Sequence, residues 1–219
     1  MNRNGKGRNK NQATANSPPW LELPVEIWAY ILHKLGAIEI LLRAQNVCTT
    51  WRRACKDPSM WRVIDCRVST SMWHVIHSKR SEYINFDKWH FLVEMCRHAV
   101  DRSQGELVDI RLEFYATDEL LAYVVERSPK LKSLSFVKWT LKLESKVFVE
   151  VVQNLPLLEE VFVSYSPITK ENIEALGHYC PRLKLIAMNC SFYMGGYYSD
   201  RRTDEALAIA KNLPALHHL

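Results

Sequence analysis

Pro129-Lys130-Leu131-Lys132-Ser133-Leu134 is the first of four copies of a pattern in the second half of the chain. Each copy reads Pro-x-Leu-x-x-φ, where φ is an aliphatic residue, and the later copies begin at Pro156, Pro181 and Pro214. The prolines are therefore 27, 25 and 33 residues apart, and a weaker copy without proline begins at Leu107. Self-similarity at a nearly constant spacing of this length is the sequence signature of a repeat architecture.

A helix-like stretch follows each strand-like copy. These stretches cover residues 118–127, 145–154, 170–178 and 203–212. A unit of one short strand and one helix, opening with L-x-x-L-x-L, is typical of leucine-rich repeats. One unit cannot bury its apolar edge alone, so we expect the units to stack into a solenoid with parallel strands. The 33-residue spacing predicts an inserted loop around residues 193–198.

Alternation within each strand predicts which side chains face the core of the solenoid. The pairs expected to point inward are Leu134 and Phe136, Val161 and Val163, and Ile186 and Met188. The intervening residues would face the concave surface, where a protein substrate could bind. The candidate contacts there are Arg111, Ser135, Phe162, Ser164, Leu185 and Asn189. Packing against neighbouring strands explains the apolar members, Phe162 and Leu185, equally well.

Residues 20–66 form a second kind of segment, a block of three predicted short helices. In the first helix Ile27, Ile31 and Leu35 recur four residues apart, and Trp28, Leu32 and Leu35 form a second apolar row beside them. Gly36 suits the end of this helix. A second helix is predicted over residues 38–45.

A third helix would place Val47, Trp51, Ala54 and Cys55 on one side. Three short helices enclose too little volume to bury all of the large apolar side chains of this block. The first helix is apolar over more than half of its circumference, which is wider than an ordinary core-facing stripe. Part of this surface must therefore contact another molecule or the rest of the chain.

Three motifs in this block resemble the F-box family. They are Leu23-Pro24-Val25-Glu26-Ile27 with Ile31-Leu32, Val47-Cys48-Thr49-Thr50-Trp51-Arg52, and Asp57-Pro58-Ser59-Met60-Trp61. Residues 95–105, followed by the repeats, resemble plant F-box/leucine-rich-repeat proteins. The expected fold is α+β, with an F-box at 20–66, a helical connector at 67–105 and leucine-rich repeats at 106–219. The last copy ends at Leu219 without a polar capping unit, so a chain truncated at its C-terminus is one interpretation.

The resemblance implies binding to the Skp-type adaptor of SCF (Skp–cullin–F-box) ubiquitin ligases, and through the adaptor to a cullin. By matched position, the residues expected to contact the adaptor are Trp20, Leu23, Pro24, Ile27, Ile31, Leu35 and Val47. Trp51 and Trp61 match family tryptophans expected to hold the helices together and to join them to the repeats. Such a subunit acts by bringing a protein substrate close to the transferred ubiquitin, so neither a catalytic residue nor a cofactor is expected.

Two alternatives remain open at this stage. The chain could be a truncated decoy that binds the adaptor without a role in ubiquitination. It could also be a leucine-rich-repeat interaction protein whose helical block only caps the solenoid. An enzyme is a more distant alternative, because the sequence contains no G-x-S-x-G, H-E-x-x-H, P-loop or G-x-G-x-x-G motif.

Composition argues against several other classes. Four basic residues in the tail of residues 1–19, which we expect to be disordered, account for most of the net charge of +5. In the rest of the chain the numbers of basic and acidic residues are nearly equal. It therefore lacks the one-sided positive surface that nucleic-acid binding requires. No apolar run approaches the ~18–20 residues of a membrane span. The six irregularly spaced cysteines do not predict a metal site. A nuclear and/or cytoplasmic location is expected. The basic tail could act as a nuclear address, and a solvated tail without function is at least as good an interpretation.

Overall fold

The computed structural model of the chain describes residues 23–68, 86–113, 115–137, 145–164, 168–189 and 201–217. These residues form eight α-helices, two short 3-10 helices and five strands. The helices are α1 (Val25–His33), α2 (Ala37–Leu42), α3 (Thr49–Ala54), α4 (Phe86–Arg102), α5 (Asp118–Arg127), α6 (Ser145–Val152), α7 (Lys170–Tyr179) and α8 (Arg201–Asn212), with 3-10 helices at Ala44–Asn46 and Pro58–Trp61. The strands are β1 (Val63–Asp65), β2 (Asp109–Leu112), β3 (Ser133–Val137), β4 (Glu160–Ser164) and β5 (Leu185–Asn189).

The five strands form one parallel sheet in the order β1-β2-β3-β4-β5, so neighbours along the chain are also neighbours in the sheet. Each strand is separated from the next by a helix on one side of the sheet, as the repeat pattern predicts. The predicted alternation of strands and helices after an N-terminal helical block is therefore confirmed, and the class is α+β. The predicted loop around residues 193–198 lies outside the described residues.

The register of the sheet aligns one buried residue from every strand. This row consists of Ile64, Ile110, Leu134, Val161 and Ile186, each at most 1% exposed. Two residues further along, Phe136 and Val163 are also buried, whereas Met188 at the equivalent position of β5 is half-buried. Period-two alternation therefore assigns the core-facing side correctly, with Met188 less enclosed than expected.

A repeated backbone hydrogen bond joins the turns that lead into the strands. The N–H of Lys132 donates to the carbonyl of Val108 at 2.8 Å, and that of Glu159 to Lys132 at 2.7 Å. The N–H of Lys184 donates to Glu159 at 2.8 Å, and His217 continues the series by donating to Lys184 at 2.8 Å. Each unit is thus hydrogen-bonded to its neighbour before the strands begin, which keeps their register constant along the solenoid.

The sheet begins one strand earlier than the sequence pattern indicates. Val63–Asp65, inside the predicted block at 20–66, pairs with β2 in the register Val63 to Asp109 and Ile64 to Ile110. The connector helix α4 packs against α5, so β1 and α4 together occupy the position of a first repeat unit. The solenoid therefore crosses the boundaries at 66 and 105 drawn from the sequence.

Two local expectations in the helical block are wrong. The second helix does not continue to residue 45, because α2 ends at Leu42 and a 3-10 turn follows at Ala44–Asn46. Val47 does not share one side of the third helix with Trp51, Ala54 and Cys55, and it is 60% exposed. The reason is that α3 begins only at Thr49, with the N–H of Trp51 donating to Cys48 Sγ at 3.5 Å, so Val47 precedes the helical periodicity.

Candidate functional site

Helix α1 has one face that is anchored in the protein. Trp28 and Leu32 are buried there, at 4% and 0% exposure. The Trp28 ring packs against Trp51 of α3 with 5.4 Å between the ring centroids, a tilted arrangement that aromatic pairs favour. The orientation of α1 is therefore set by its own block.

The neighbouring face of α1 carries aliphatic side chains in solvent. Ile27 and Ile31 are 45% and 39% exposed and lie one turn apart on one side of the helix, and Leu35, which is 44% exposed, lies in the turn that follows the end of α1. We call these three residues the α1 strip. Single exposed aliphatic residues are ordinary on protein surfaces, whereas an aligned row is typical of a helix that binds an apolar groove.

The other residues expected to contact an adaptor differ in their exposure. Pro24 is exposed at the N-terminus of α1, and Leu23 is half-buried against the core. Val47 is exposed, but it lies on a different element, in the turn before α3. Trp20 lies outside the described residues.

Tyr30 is an exposed aromatic residue of α1 that the sequence analysis did not select. It is 65% exposed and lies three residues after Ile27, which places it beside the α1 strip. The Lys34 ammonium lies 4.9 Å from the centroid of its ring, which is within the range of a cation–π contact. In the sequence, the available signal for Tyr30 was its position three residues after Ile27, because residues at this spacing are neighbours on a helix surface.

One face of the sheet aligns the predicted substrate contacts in rows. Arg111, Ser135 and Phe162 are paired in register across β2, β3 and β4. Ser164 pairs in register with Asn189, and Leu185 aligns with Glu160. The structure therefore brings the predicted residues onto one surface, where Arg111 is exposed and Ser135, Phe162, Ser164 and Leu185 are half-buried.

A cluster of charged groups surrounds the first rows of this surface. Arg67 Nη2 lies 2.6 Å from Asp65 Oδ2, and Arg111 Nη2 lies 3.2 Å from Asp109 Oδ2. The backbone N–H of Val68 donates to Glu113 Oε2 at 3.0 Å. Asp65 and Arg67 were not predicted, because they enter the surface only through β1.

Burial and hydrogen bonding act on these carboxyl groups in opposite directions. Burial raises the pKa of Asp109 and of Glu113, against the charges of Arg111 and Arg67. Burial also disfavours the ionised form of Asp65, but hydrogen bonds from Arg67 outweigh it and lower the pKa of Asp65. The carboxyl groups of this cluster therefore differ in pKa: the pKa of Asp65 is lowered, whereas those of Asp109 and Glu113 are raised.

A cavity of about 100 Å³ lies where the α1–α2 turn meets the start of the sheet. Its lining includes His33, Gly36, Trp61, Asp65 and Arg111. This volume is well below the ~300–1,000 Å³ of ordinary small-molecule sites. Burial lowers the pKa of His33, which favours a neutral imidazole at the cavity wall.

Arg102, at the end of α4, links the helical block to the repeats. Its Nη1 donates to the carbonyl of Cys55 at 3.2 Å and its Nη2 donates to Gln45 Oε1 at 3.0 Å. The guanidinium carbon lies 5.4 Å from the centroid of the Trp61 ring, and Trp61 Nε1 donates to the same Cys55 carbonyl at 2.9 Å. Buried Trp61 therefore joins the block to α4, as the matched tryptophan position implies.

The described residues do not present a metal, reactive-thiol or membrane-spanning site. Within them, no group of three or more His, Cys, Asp or Glu side chains is arranged to hold a metal ion. Burial raises the pKa of the Cys180 thiol to about 12, so this cysteine stays protonated at neutral pH. None of the helices in the described part is both long and apolar enough to span a bilayer.

Comparison with known proteins identifies the family. The F-box-like family model matches residues 20–67. The chain is 41% identical over 218 residues to F-box protein SKIP19 of Arabidopsis thaliana, covering 94% of this chain and 65% of that protein. It is 40% identical to F-box/LRR-repeat protein 23 of the same plant, covering 91% of this chain and 41% of that protein.

A third relative is matched over a larger share of its length. F-box/LRR-repeat protein 9 of Arabidopsis thaliana is 38% identical to this chain over 204 residues, and the match covers 91% of the chain and 75% of that protein. The helical block matched by the family model is followed in the structure by a solenoid of parallel strands, in agreement with these relatives. This chain belongs to the plant F-box/LRR-repeat protein family.

Proposed function

We propose that the chain is a substrate-recognition subunit of an SCF ubiquitin ligase, with the α1 strip bound in an apolar groove of the Skp-type adaptor. The observation that carries this proposal is that Ile27, Ile31 and Leu35 are exposed to solvent in the folded chain. The chain has an extensive core of its own, and that core buries Trp28 and Leu32 from the same helix. The block therefore presents to solvent the apolar face that its own repeats do not cover.

The energetics of the strip are consistent with a protein partner. Fully burying an exposed isoleucine or leucine side chain gains about 1.5–3 kcal/mol. These three side chains already have about half of their surface buried, so each would gain roughly 1 kcal/mol or more in a groove. Leu23, Pro24, Val47 and Trp20 would extend the same contact.

The proposed role requires no bond chemistry from this chain. The adaptor would connect the chain to a cullin, and the concave surface would hold a protein substrate near the ubiquitin donor, which raises its effective concentration. The chain spans 65% and 41% of the lengths of the first two relatives, so the activity of the whole protein is part of the proposal. A nuclear and/or cytoplasmic location is proposed with it.

Calorimetric titration of the purified chain with a recombinant Skp-type adaptor tests the docking face. Replacing Ile27 and Ile31 together with Ala should weaken binding by about 2 kcal/mol, roughly 30-fold, because the two residues are the helical members of the strip and each is expected to gain about 1 kcal/mol in the groove. Leu207→Ala is the matched control, since Leu207 is an aliphatic residue of α8 that is 64% exposed. Thermal unfolding of both variants should stay close to wild type, because the replaced side chains are outside the core.

The outcomes separate the proposed function from its alternatives. No binding by the wild-type chain would leave a leucine-rich-repeat interaction protein whose helices only cap the solenoid. Equal affinity of the Ile27/Ile31 variant and the control would remove the α1 strip from the interface. Adaptor binding without ubiquitin transfer to any protein held by the reconstituted complex would favour the decoy.

A further inference from the structure

The exposed charges of the helical block are mostly cationic. Between residues 23 and 62 there are six Lys and Arg residues and three Asp and Glu residues, and all six cations are exposed. Two of the three acids are half-buried and already bound. Glu39 Oε2 lies 3.4 Å from Arg43 Nη1, and Asp57 Oδ1 accepts the N–H of Ser59 at 2.9 Å.

The repeats do not share this positive excess. Residues 106–219 contain thirteen Lys and Arg residues and fifteen Asp and Glu residues. Residues 23–62 therefore carry a positive excess around the exposed apolar side chains, although the whole block of residues 20–66, which adds Glu22 and Asp65, has six Lys and Arg residues and five Asp and Glu residues. A partner that covers those side chains must also accommodate the cations beside them.

Arg52 is held in a defined position next to exposed Val47. Its Nε donates to the carbonyl of Gln45 at 3.2 Å, and its Nη2 donates to Asn46 Oδ1 at 3.4 Å. A guanidinium has five N–H groups, so a side chain fixed by two of them can still offer a fork to a carboxylate. Because its orientation is already set, less conformational entropy is lost when a partner binds.

Lys34 supplies a second cation at the other exposed apolar surface. Its Nζ lies over the ring of Tyr30, and the residue directly follows the end of α1, between Ile31 and Leu35 in the sequence. A carboxylate that approached the α1 strip would therefore meet an ammonium group at its edge. Opposite charges at the rim of an interface mainly accelerate association and fix orientation.

We propose that the adaptor groove that receives the α1 strip has an acidic rim, whose carboxylates pair with Lys34 and Arg52. This inference rests on the proposed function and specifies the chemistry of its partner. The apolar groove provides most of the affinity, and the two cations steer the encounter. Arg52 is the more specific contact, because its guanidinium is bidentate and already positioned.

Stopped-flow association with the same recombinant adaptor tests the acidic rim. The association rate constant of the wild-type chain should fall about tenfold between roughly 50 mM and roughly 500 mM NaCl, because salt screens charges at these separations. The double variant Lys34→Glu/Arg52→Glu should associate about tenfold more slowly at the lower salt and lose most of the salt dependence. The neutral variant Lys34→Gln/Arg52→Gln should lie between the two.

The matched control reverses two exposed cations of the repeats, Lys170→Glu/Arg182→Glu, and should retain the wild-type rate and salt dependence. Association that is insensitive to salt and to charge reversal, with Ile27/Ile31 still required, would overturn the acidic rim and leave the proposed function intact. Equal slowing of the control would attribute the effect to total charge and would also overturn it. Absence of binding by the wild-type chain would overturn both proposals.

Discussion

At the scale of single residues, Glu159 connects two units of the solenoid through its charge. Its Oε2 lies 2.6 Å from Lys184 Nζ, and its Oε1 lies 3.0 Å from Lys132 Nζ. Hydrogen bonds from Lys184 and Lys132 favour the carboxylate over its protonated form and lower the pKa of Glu159 to about 2. Both lysines are about half exposed, so solvent screening keeps the energy of these pairs small.

Glu159→Gln is expected to lower the free energy of unfolding by about 1 kcal/mol at neutral pH, the sum of two exposed ion pairs. The pKa in the folded state is depressed, so the contribution is complete above the unfolded value of about 4.3 and is lost as pH falls toward about 2. Urea denaturation at a series of pH values should show the difference between variant and wild type shrinking over this interval.

Glu174→Gln is the control for this prediction, because the ion pair of Glu174 with Lys170 Nζ is long, at 3.9 Å. The control should remain within a few tenths of a kcal/mol of wild type. A Glu159→Gln effect that stays constant from neutral to acid pH would show that its charge does not carry the stabilisation.

At the scale of elements, α7 and α8 pack closely because of a glycine. A Cβ built on Gly177 of α7 would lie 2.9 Å from Asn212 Cβ and well inside van der Waals contact with the Asn212 carbonyl oxygen. That oxygen belongs to the backbone at the end of α8, which cannot move aside like a flexible side chain. The glycine therefore permits the close approach of the two helices.

Gly177→Ala should destabilise the protein, although the same change in an exposed helix interior usually stabilises by about 1 kcal/mol. The clash with Asn212 is expected to cost about 1–3 kcal/mol as overpacking, which exceeds that gain and leaves a net loss of up to about 2 kcal/mol. Thermal and urea unfolding would measure it, with Glu174→Ala on the exposed side of α7 as the control. Increased stability of Gly177→Ala would mean that the helices separate without cost.

At the scale of the whole molecule, the helical block and the solenoid share one core. The continuous cluster of buried residues extends from Trp28 in α1 to Leu213 after α8. Strand β1 extends the sheet into the block, and Arg102 binds the block from α4. Such continuity should make the two parts unfold together. In the proposed function, the shared core would also keep the substrate-binding face at a constant distance from the adaptor.

Ile64→Ala is expected to cost about 2–5 kcal/mol, because Ile64 is fully buried at the centre of β1. Hydrogen exchange followed by mass spectrometry should show protection falling together in peptides from α2 and from β3. Val63→Ala is the matched control, since the neighbouring side chain in the same strand is 43% exposed. Loss of protection confined to one of the two parts would indicate that they open independently.

The repeat units could be predicted because their signals are local. The copy that begins at Pro129 predicts a strand from Ser133, and residues 118–127 predict helix α5 with the bounds that the structure has. Within each strand the side-chain period assigns Leu134 and Phe136 to the core. These properties depend on neighbouring residues along the chain, so the sequence carries them directly.

The face of α1 that remains in solvent could not be chosen from its periodicity. Ile27, Ile31 and Leu35 form one apolar row and Trp28, Leu32 and Leu35 another, and both suit a buried helix surface. The contact of Trp28 with Trp51 selects which row is buried. That contact joins residues more than twenty positions apart, so a helical pattern cannot contain it.

Amino-acid order thus determines the family motifs, the repeat units and the apolar excess of the first helix, because each is a pattern among close neighbours. Tertiary contacts decide the first strand of the sheet, the exposure of Val47 and the free side of α1. Val63–Asp65 is too short to be predicted as a strand from its sequence. It forms a strand because it pairs with β2, which lies more than forty residues later. The physical reason is that burial and strand pairing depend on which distant segments meet.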